Sequence, residues 1–366
     1  MERPSLENLE TPAALVDLER VDANLRRVDA YARQHGLRWR PHTKTHKVPV
    51  LAELQVRAGA SGVTVATPHE AEVMSAASSD VFLAYPPVGA ARLERLMRLS
   101  AHVQLSVGLD SREVLEGLSA AAKKAGRTVG VLVEMDLGMR RVGVQQPAEA
   151  VALARAIQAA EAVEYRGVTF YPGHVRAPVA SQDSALNAVS VRLAEFLEVL
   201  SSAGLRPQVV SGGSTPTLWR SHEVHGLTEI RPGVNILNDR NSAAVGACAW
   251  EDCAYSVLAT VVSTTVPGQA VIDAGAKALA KEEGLAPEGG YGALLDRPDV
   301  VLRSLSEEHG LLDLSKTEWR PRVGDRVRVV PNHVCVSVNL HERLWAVRKG
   351  AVEQAWAITG RGWGAP

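Results

Sequence analysis

The sequence predicts an α/β protein in which a (β/α)8 TIM barrel is followed by a mostly β domain, and three observations carry that prediction. Eight short β-branched runs recur along the first 240 residues, patterns rich in Ala, Leu, Arg and Glu at helical spacing lie between them, and strand-like runs then take over. Strand and helix alternating at this interval imply parallel pairing through crossover helices, and eight such units close a barrel.

The eight strand candidates are "LRWRPH" (37–42), "GVTVA" (62–66), "VFLAY" (81–85), "HVQLSV" (102–107), "VGVLVEM" (129–135), "RGVTFY" (166–171), "PQVVSGG" (207–213) and "TEIRPG" (228–233). Helical patterns include "VDANLRRVDAYARQHG" (21–36) and "PAEAVALARAIQAAEA" (147–162). The expected division is a barrel over 21–240 and a β-rich domain over 241–366. In the second domain "YSVLATVVSTTV", "QAVIDAG", "DRVRVVPNHVCVSVN" and "LWAVRKGAVEQAWAI" read as strands. The Gly/Pro-rich, charged segment 281–299 reads as an exposed loop.

Composition excludes several function classes. The chain of 366 residues is 46% hydrophobic and 22% charged with a formal net charge of −1, so it has ample core material and no basic surface for nucleic acid. Apolar runs are broken far short of the ~20 residues a bilayer demands. The early acids of "MERPSLENLETP" do not suit a secretory signal, which points to the cytoplasm. Three cysteines are too few for a disulfide framework; Cys248 and Cys253 read as ordinary small buried residues.

In such a barrel the C-terminal strand ends share one mouth, so the fragments behind each strand belong together. The first supplies "RPHTKTHK" with His42, Lys44, His46 and Lys47; the fifth "EMDLGMRRVGV" with Asp136 and Arg141; the sixth "YPGH" with Tyr171 and His174. The seventh supplies "SGGSTPT" (211–217), glycines followed by hydroxyls that suit an anion such as phosphate. A lysine in such a mouth is a candidate Schiff base, since desolvation and nearby positive charge lower its pKa. If the strand continues past Trp39, His42, Lys44 and His46 share one face.

These motifs, with "TPAALVDL", "GVTVATPHEAEV", "TEIRPG", "SLSEEHG" and "VPNHVC", resemble the D-threonine aldolase and D-serine dehydratase family, metal-dependent relatives of alanine racemase among fold type III pyridoxal phosphate enzymes. The resemblance runs from about residue 9 to 345. It implies that Lys44 binds pyridoxal 5'-phosphate as a Schiff base, with Lys47 an auxiliary charge and His42, His46 or Lys44 moving protons. It places the phosphate on Gly212, Gly213, Ser214 and Thr215, sets Arg141 at the cofactor's phenolic oxygen, and puts Tyr171 and His174 near its ring. Asn235 is a further cofactor contact, standing where the family pattern often carries a tyrosine.

Within that pattern, His333 and Cys335 stand two apart on a predicted strand, so both side chains point to one face. Imidazole with thiolate suits a divalent metal, zinc or manganese, leaving a position open to substrate. Glu307, Glu308 and His309 are candidates to hold a metal-bound water or orient the ligands.

The resemblance implies a lyase acting on a small β-hydroxy D-amino acid, in a homodimer, with residues 1–20 packing on the β domain. The run of motifs leans to aldol cleavage into glycine and an aldehyde. Cys335 pulls toward dehydration to a 2-oxo acid and ammonia. A racemase is a weaker reading because Tyr255 and Tyr291 lack the setting for a second base. A non-catalytic cofactor carrier has no need of the β domain or "PNHVC".

Overall fold

The structure is a computed structural model and describes residues 5–362. It divides into two compact units, one formed by Arg27–Gly233 with the segment from Thr359, the other by the chain up to Arg26 with Val234–Ile358.

The chain begins with strand β1 (Ala13–Asp17) and helix α1 (Leu18–Gln34). Eight parallel strands follow: β2 (Arg38–Trp39), β3 (Val63–Val65), β4 (Asp80–Leu83), β5 (Gln104–Leu109), β6 (Val129–Glu134), β7 (Val163–Thr169), β8 (Val209–Gly212) and β9 (Glu229–Ile230). Between them run α2 (Pro49–Arg57), α3 (Pro68–Met74), α4 (Ala90–Met97), α5 (Arg112–Ala125), α6 (Pro147–Ala159) and α7 (Asp183–Ser202). The sheet order is β2-β9-β8-β7-β6-β5-β4-β3, a curled sheet whose two end strands meet at a single parallel bridge, His42 with Thr64. At this seam Thr64 N–H donates to Pro41 O at 2.8 Å and the Thr43 hydroxyl donates to Thr64 O at 3.0 Å. Every residue of β6 is buried, as befits a strand covered on both faces. Each of the eight sequence runs overlaps one of these strands.

The second unit carries β10 (Tyr255–Ser263), β11 (Gln269–Ile272), β12 (Gly292–Leu294), β13 (Arg297–Leu305), β14 (Gly310–Asp313), β15 (Arg326–Pro331), β16 (Arg343–Arg348) and β17 (Ala351–Ala357), with short helices α8 (Arg240–Ala244), α9 (Ala276–Leu279) and α10 (Val334–Leu340). Six of these strands close a ring, β10-β11-β14-β13-β12-β15, and β1, β16 and β17 extend the sheet beyond β10. β1 pairs antiparallel with β10 and parallel with β16.

Two expectations are corrected here. The 281–299 segment is partly a hairpin, because buried Ala293 and Leu294 pair β12 with β13 and β15. The rest is tied down: the Asn332 amide donates to Glu282 O at 2.9 Å and Gly290 O at 2.8 Å, and Arg240 donates to Gly289 O at 2.6 Å. Second, "VCVSVNL" is helix α10, not a strand. The Val334 N–H in its first turn is satisfied by the Asp239 carboxylate at 3.1 Å, a tertiary contact that overrides the β propensity of three valines.

Candidate active site

Behind β2 the chain does not continue as a strand but tightens into a 3₁₀ turn over Thr43–Thr45. Alternation is lost, so His42, Lys44 and His46 do not share a face as expected. His46 turns inward and is fully buried: its Nδ1 accepts from Val48 N–H at 3.1 Å, which leaves Nε2 to donate to Gln55 Oε1 at 3.1 Å. Neither ring nitrogen is free for substrate, and His46 locks the turn rather than moving protons. Burial holds its pKa down at about 4, against the hydrogen bonds from Gln55 and Val48.

His46→Ala should therefore cost stability, about 2–3 kcal/mol for a buried, fully bonded side chain, and leave turnover by the folded fraction intact. Because the folded state refuses a proton the unfolded state accepts at about 6.5, the wild type loses stability as pH falls from 6.5 toward 4. Urea unfolding across that range should show this acid sensitivity shrinking in the variant.

Lys44 is half-buried, and its Nζ stands 5.6 Å from the centroid of the Tyr171 ring. Arg141 faces the same ring, with Cζ at 5.3 Å from the centroid. Three sequence-predicted residues from three loops thus meet at one aromatic ring. Arg141 is presented by a loop that Asp136 organises: its carboxylate accepts from Gly138 N–H at 2.8 Å, Arg140 N–H at 3.0 Å and the Gln145 amide at 3.1 Å. Burial pushes the Asp136 carboxyl up, but the Arg140 and Gly138 amides outweigh it and hold it below the usual range. Gly143 in this loop has φ +107°, and a Cβ there would lie 2.5 Å from Asp136 N. His174 is exposed and its ring packs over Gly138, adjoining the Arg141 loop.

His42 is pushed well below the ordinary histidine pKa by burial, then by the charges of Lys44 and Arg231. It is neutral at physiological pH.

Sequence reasoning passed over Arg231, although it lies inside "RPG". Its buried guanidinium donates to Ser211 Oγ at 2.7 Å and to Phe170 O at 3.0 Å. Ser211 in turn donates to Glu229 at 2.6 Å, and Glu229 accepts from Arg40 at 3.0 Å. The signal available was a lone arginine at the end of an apolar strand.

In "SGGSTPT", Gly212 lies flat on Phe170, where a Cβ would stand 2.4 Å from the ring, and Gly213 has φ +91°. Ser214 and Thr215 are buried, and Ser214 N–H donates to Thr217 Oγ1 at 3.2 Å. Asn235 is 5% exposed, and neither polar atom of its amide has a hydrogen-bond partner among the described residues. A buried, unmatched amide calls for a polar ligand. Within the first unit, the Lys44 amine, the Arg141 and Arg231 guanidiniums and the glycine turn are a donor set that fits a phosphorylated aldehyde.

In the second unit His333 Nδ1 lies 3.2 Å from Asp239 Oδ2, and Cys335 is a further hydrogen-bond partner of the imidazole. Asp239 is itself fixed by the Ser242 amide at 2.8 Å and hydroxyl at 2.6 Å. Burial lowers the His333 pKa, but Asp239 and Cys335 more than reverse this and push it up to about 11. A carboxylate behind an imidazole nitrogen is the arrangement that orients a metal-binding histidine. The pair does lie together as expected, through a helix start in place of a strand. Asp239 was missed, being 94 positions away from His333. Glu307 and Glu308 are exposed and paired with Lys277, at 3.0 and 2.8 Å, and His309 is exposed. They form a solvated turn. Among the described residues no cluster of three or more His, Cys, Asp or Glu side chains forms a metal cage.

Comparison with known proteins matches residues 16–240 to the family model "Alanine racemase, N-terminal domain" and residues 254–347 to "Putative serine dehydratase domain". The chain is 31% identical to a D-threonine aldolase of Arthrobacter sp., over 98% of this chain and 94% of that one. It is 32% identical to the D-threo-3-hydroxyaspartate dehydratase of Delftia sp. strain HT23, over 96% and 98%. Among solved structures, a D-threonine aldolase from Filomicrobium marinum superposes with a TM-score of 0.91 at 31% identity, covering 99% and 98%. Two alanine variants of the D-threo-3-hydroxyaspartate dehydratase superpose at 0.90 and 0.89, both at 30% identity; the chain covers 99% of itself in each and 97% and 100% of the respective structures. One replaces a histidine, the other a cysteine two positions further on, and the cysteine variant is described as metal-free.

Proposed function

Because the chain belongs to the D-threonine aldolase and D-serine dehydratase family, pyridoxal phosphate-dependent lyases of β-hydroxy D-amino acids, we propose that it eliminates water from such a substrate and yields a 2-oxo acid and ammonia. The observation that carries this reading is the His333-x-Cys335 pair, which has the spacing of the two residues replaced in the dehydratase variants. It moves the weight from the aldol cleavage favoured by the general run of motifs.

Bound at Lys44, pyridoxal phosphate supplies an electron sink that acidifies the substrate's α-proton. The chain's own groups then divide the work. The Lys44 amine would remove the α-proton, Arg141 and Tyr171 would line the cofactor's place beside it, and neutral His42 would relay a proton there. Gly212, Gly213, Ser214 and Thr215 would hold the phosphate, and Asn235 would be a further cofactor contact. His333 and Cys335 would hold a divalent ion, zinc or manganese, which would supply Lewis acidity toward the substrate hydroxyl. The Lys44 ammonium formed by the α-proton transfer would return its proton to the departing hydroxide as water, and tautomerisation and hydrolysis of the released enamine would give the 2-oxo acid and ammonia. Assembly as a cytoplasmic homodimer belongs to the same proposal.

The test is a product assay with D-threonine, D-serine and D-threo-3-hydroxyaspartate, in the presence of pyridoxal phosphate and Zn2+ or Mn2+. We expect 2-oxo acid and ammonia in equal amounts. Glycine with aldehyde or glyoxylate as the main products would return the enzyme to the aldolases.

A further inference from the structure

Lys47 has a left-handed backbone, φ +56°, which residues other than glycine rarely adopt. Such a conformation persists only where the surroundings impose it, and the contacts of Lys47 are of that kind. Its N–H donates to Thr43 O at 2.9 Å and closes the turn that carries Lys44. Its carbonyl accepts from Gly360 N–H at 3.0 Å. Gly360 is buried against it so closely that a Cβ there would stand 3.1 Å from both Lys47 Cβ and Lys47 O. The Lys47 ammonium lies 3.4 Å from Glu70 Oε1, and Glu70 is 1% exposed. Glu70 is itself fixed twice: Oε2 accepts from Ala66 N–H at 2.8 Å, and its N–H donates to Thr67 Oγ1 at 3.1 Å. Beside it His69 Nε2 donates to Thr359 O at 3.0 Å. The segment from Thr359, which belongs to the same unit as the barrel strands, is thus bonded at two successive residues to the loops behind β2 and β3.

We propose that Gly360 and Glu70 are positioning residues: together they clamp Lys47 in its left-handed conformation, and thereby set the 3₁₀ turn from which Lys44 meets the cofactor. The proposal rests on the pyridoxal phosphate reading. Gly360 grips the backbone of Lys47 and Glu70 grips its side chain. A glycine at 47 would take this conformation unaided. A lysine needs to be held there, and its ammonium is the handle. The hold is mutual, because Lys47 is the counter-charge that a buried Glu70 carboxylate requires. The mechanism above gives neither Gly360 nor Glu70 a task. Both act on Lys44 through Lys47, three residues further along the same turn.

Two measurements on the full-length protein decide it. Amide hydrogen exchange without cofactor, followed by mass spectrometry, reads the turn over residues 43–47, with the buried strand β6 as the reference for global opening. The rate at which pyridoxal 5'-phosphate is captured on Lys44, from the visible absorbance of the adduct and the label trapped by borohydride, reads how the amine is presented. Gly360→Pro removes the N–H that Lys47 O accepts. Its turn should exchange about tenfold faster, as for one lost hydrogen bond, with β6 unchanged, and capture should be about tenfold slower. A merely structural role would leave capture by the folded protein at the wild-type rate. An unchanged turn, a turn loosened only as much as β6, or capture at the wild-type rate overturns the proposal. Should Gly360→Pro not fold, Glu70→Gln keeps an acceptor for Ala66 N–H and removes the charge that holds Lys47. The same two changes are expected there, and the absence of either overturns the proposal equally. If the wild type fails to capture pyridoxal phosphate, the cofactor reading falls, and exchange in the turn still reports separately on the clamp.

Discussion

Lys44→Ala should lower turnover by about four orders of magnitude, since one side chain is both the cofactor's attachment point and the base at the α-carbon. The fold should barely notice. Lys44 is half-buried in a 3₁₀ turn whose shape is set by neighbours, Thr43 bonded to Thr64 O and His46 bonded to Val48 and Gln55. A stability change within about 0.5 kcal/mol is expected, as at an ordinary surface site. The nearby Lys47 is no substitute, because its ammonium is drawn 3.4 Å from the buried Glu70 carboxylate, which also accepts from Ala66 N–H. Borohydride reduction followed by peptide mapping should fix cofactor on Lys44 in the wild type and nowhere in the variant. Label on Lys47, or turnover within tenfold of wild type, would overturn the assignment.

Cys335→Ala should remove the bound metal and with it about three orders of magnitude of turnover, the worth of several kcal/mol of charge stabilisation at the leaving oxygen. The loss should be chemical and not structural. The N-terminal turn of α10 is held by Asp239 through Val334 N–H, and that contact does not involve the thiol. Metal analysis should give near-stoichiometric ion in the wild type and a trace in the variant. A chelator should bring the wild type to the variant's rate and leave the variant unchanged. A variant with full metal content and full activity would remove His333 and Cys335 from the site and the dehydration reading with them.

What the sequence could and could not say follows from how far each structural cause reaches along the chain. Each barrel strand is announced locally, by a β-branched run between helix formers, and all eight were found with small errors at their ends. The mouth residues Lys44, Arg141 and Tyr171 were legible because a parallel barrel sends every strand end to the same side. Direction was not legible. Nothing in "KTHK" says that a 3₁₀ turn follows Trp39, so His46 looked like a neighbour of substrate when it is a buried strut. The helix at "VCVSVNL" has its cause in Asp239, far earlier in the chain. Arg231 sat within a motif already noticed, "RPG", but its partners Ser211 and Phe170 come from other strands, and a partner drawn from elsewhere leaves no mark on local sequence.

The barrel's seam carries a consequence of another kind. Its ends meet at the His42–Thr64 bridge, with Thr43 and Pro41 supplying the surrounding bonds, and Lys44 is the next residue along. The last stitch of the barrel and the placement of the reactive amine are one event. If Lys44 is the cofactor's attachment point, a chain that has not closed its sheet has no organised amine to offer, and ligand capture by closed chains alone would pull the population toward the closed form.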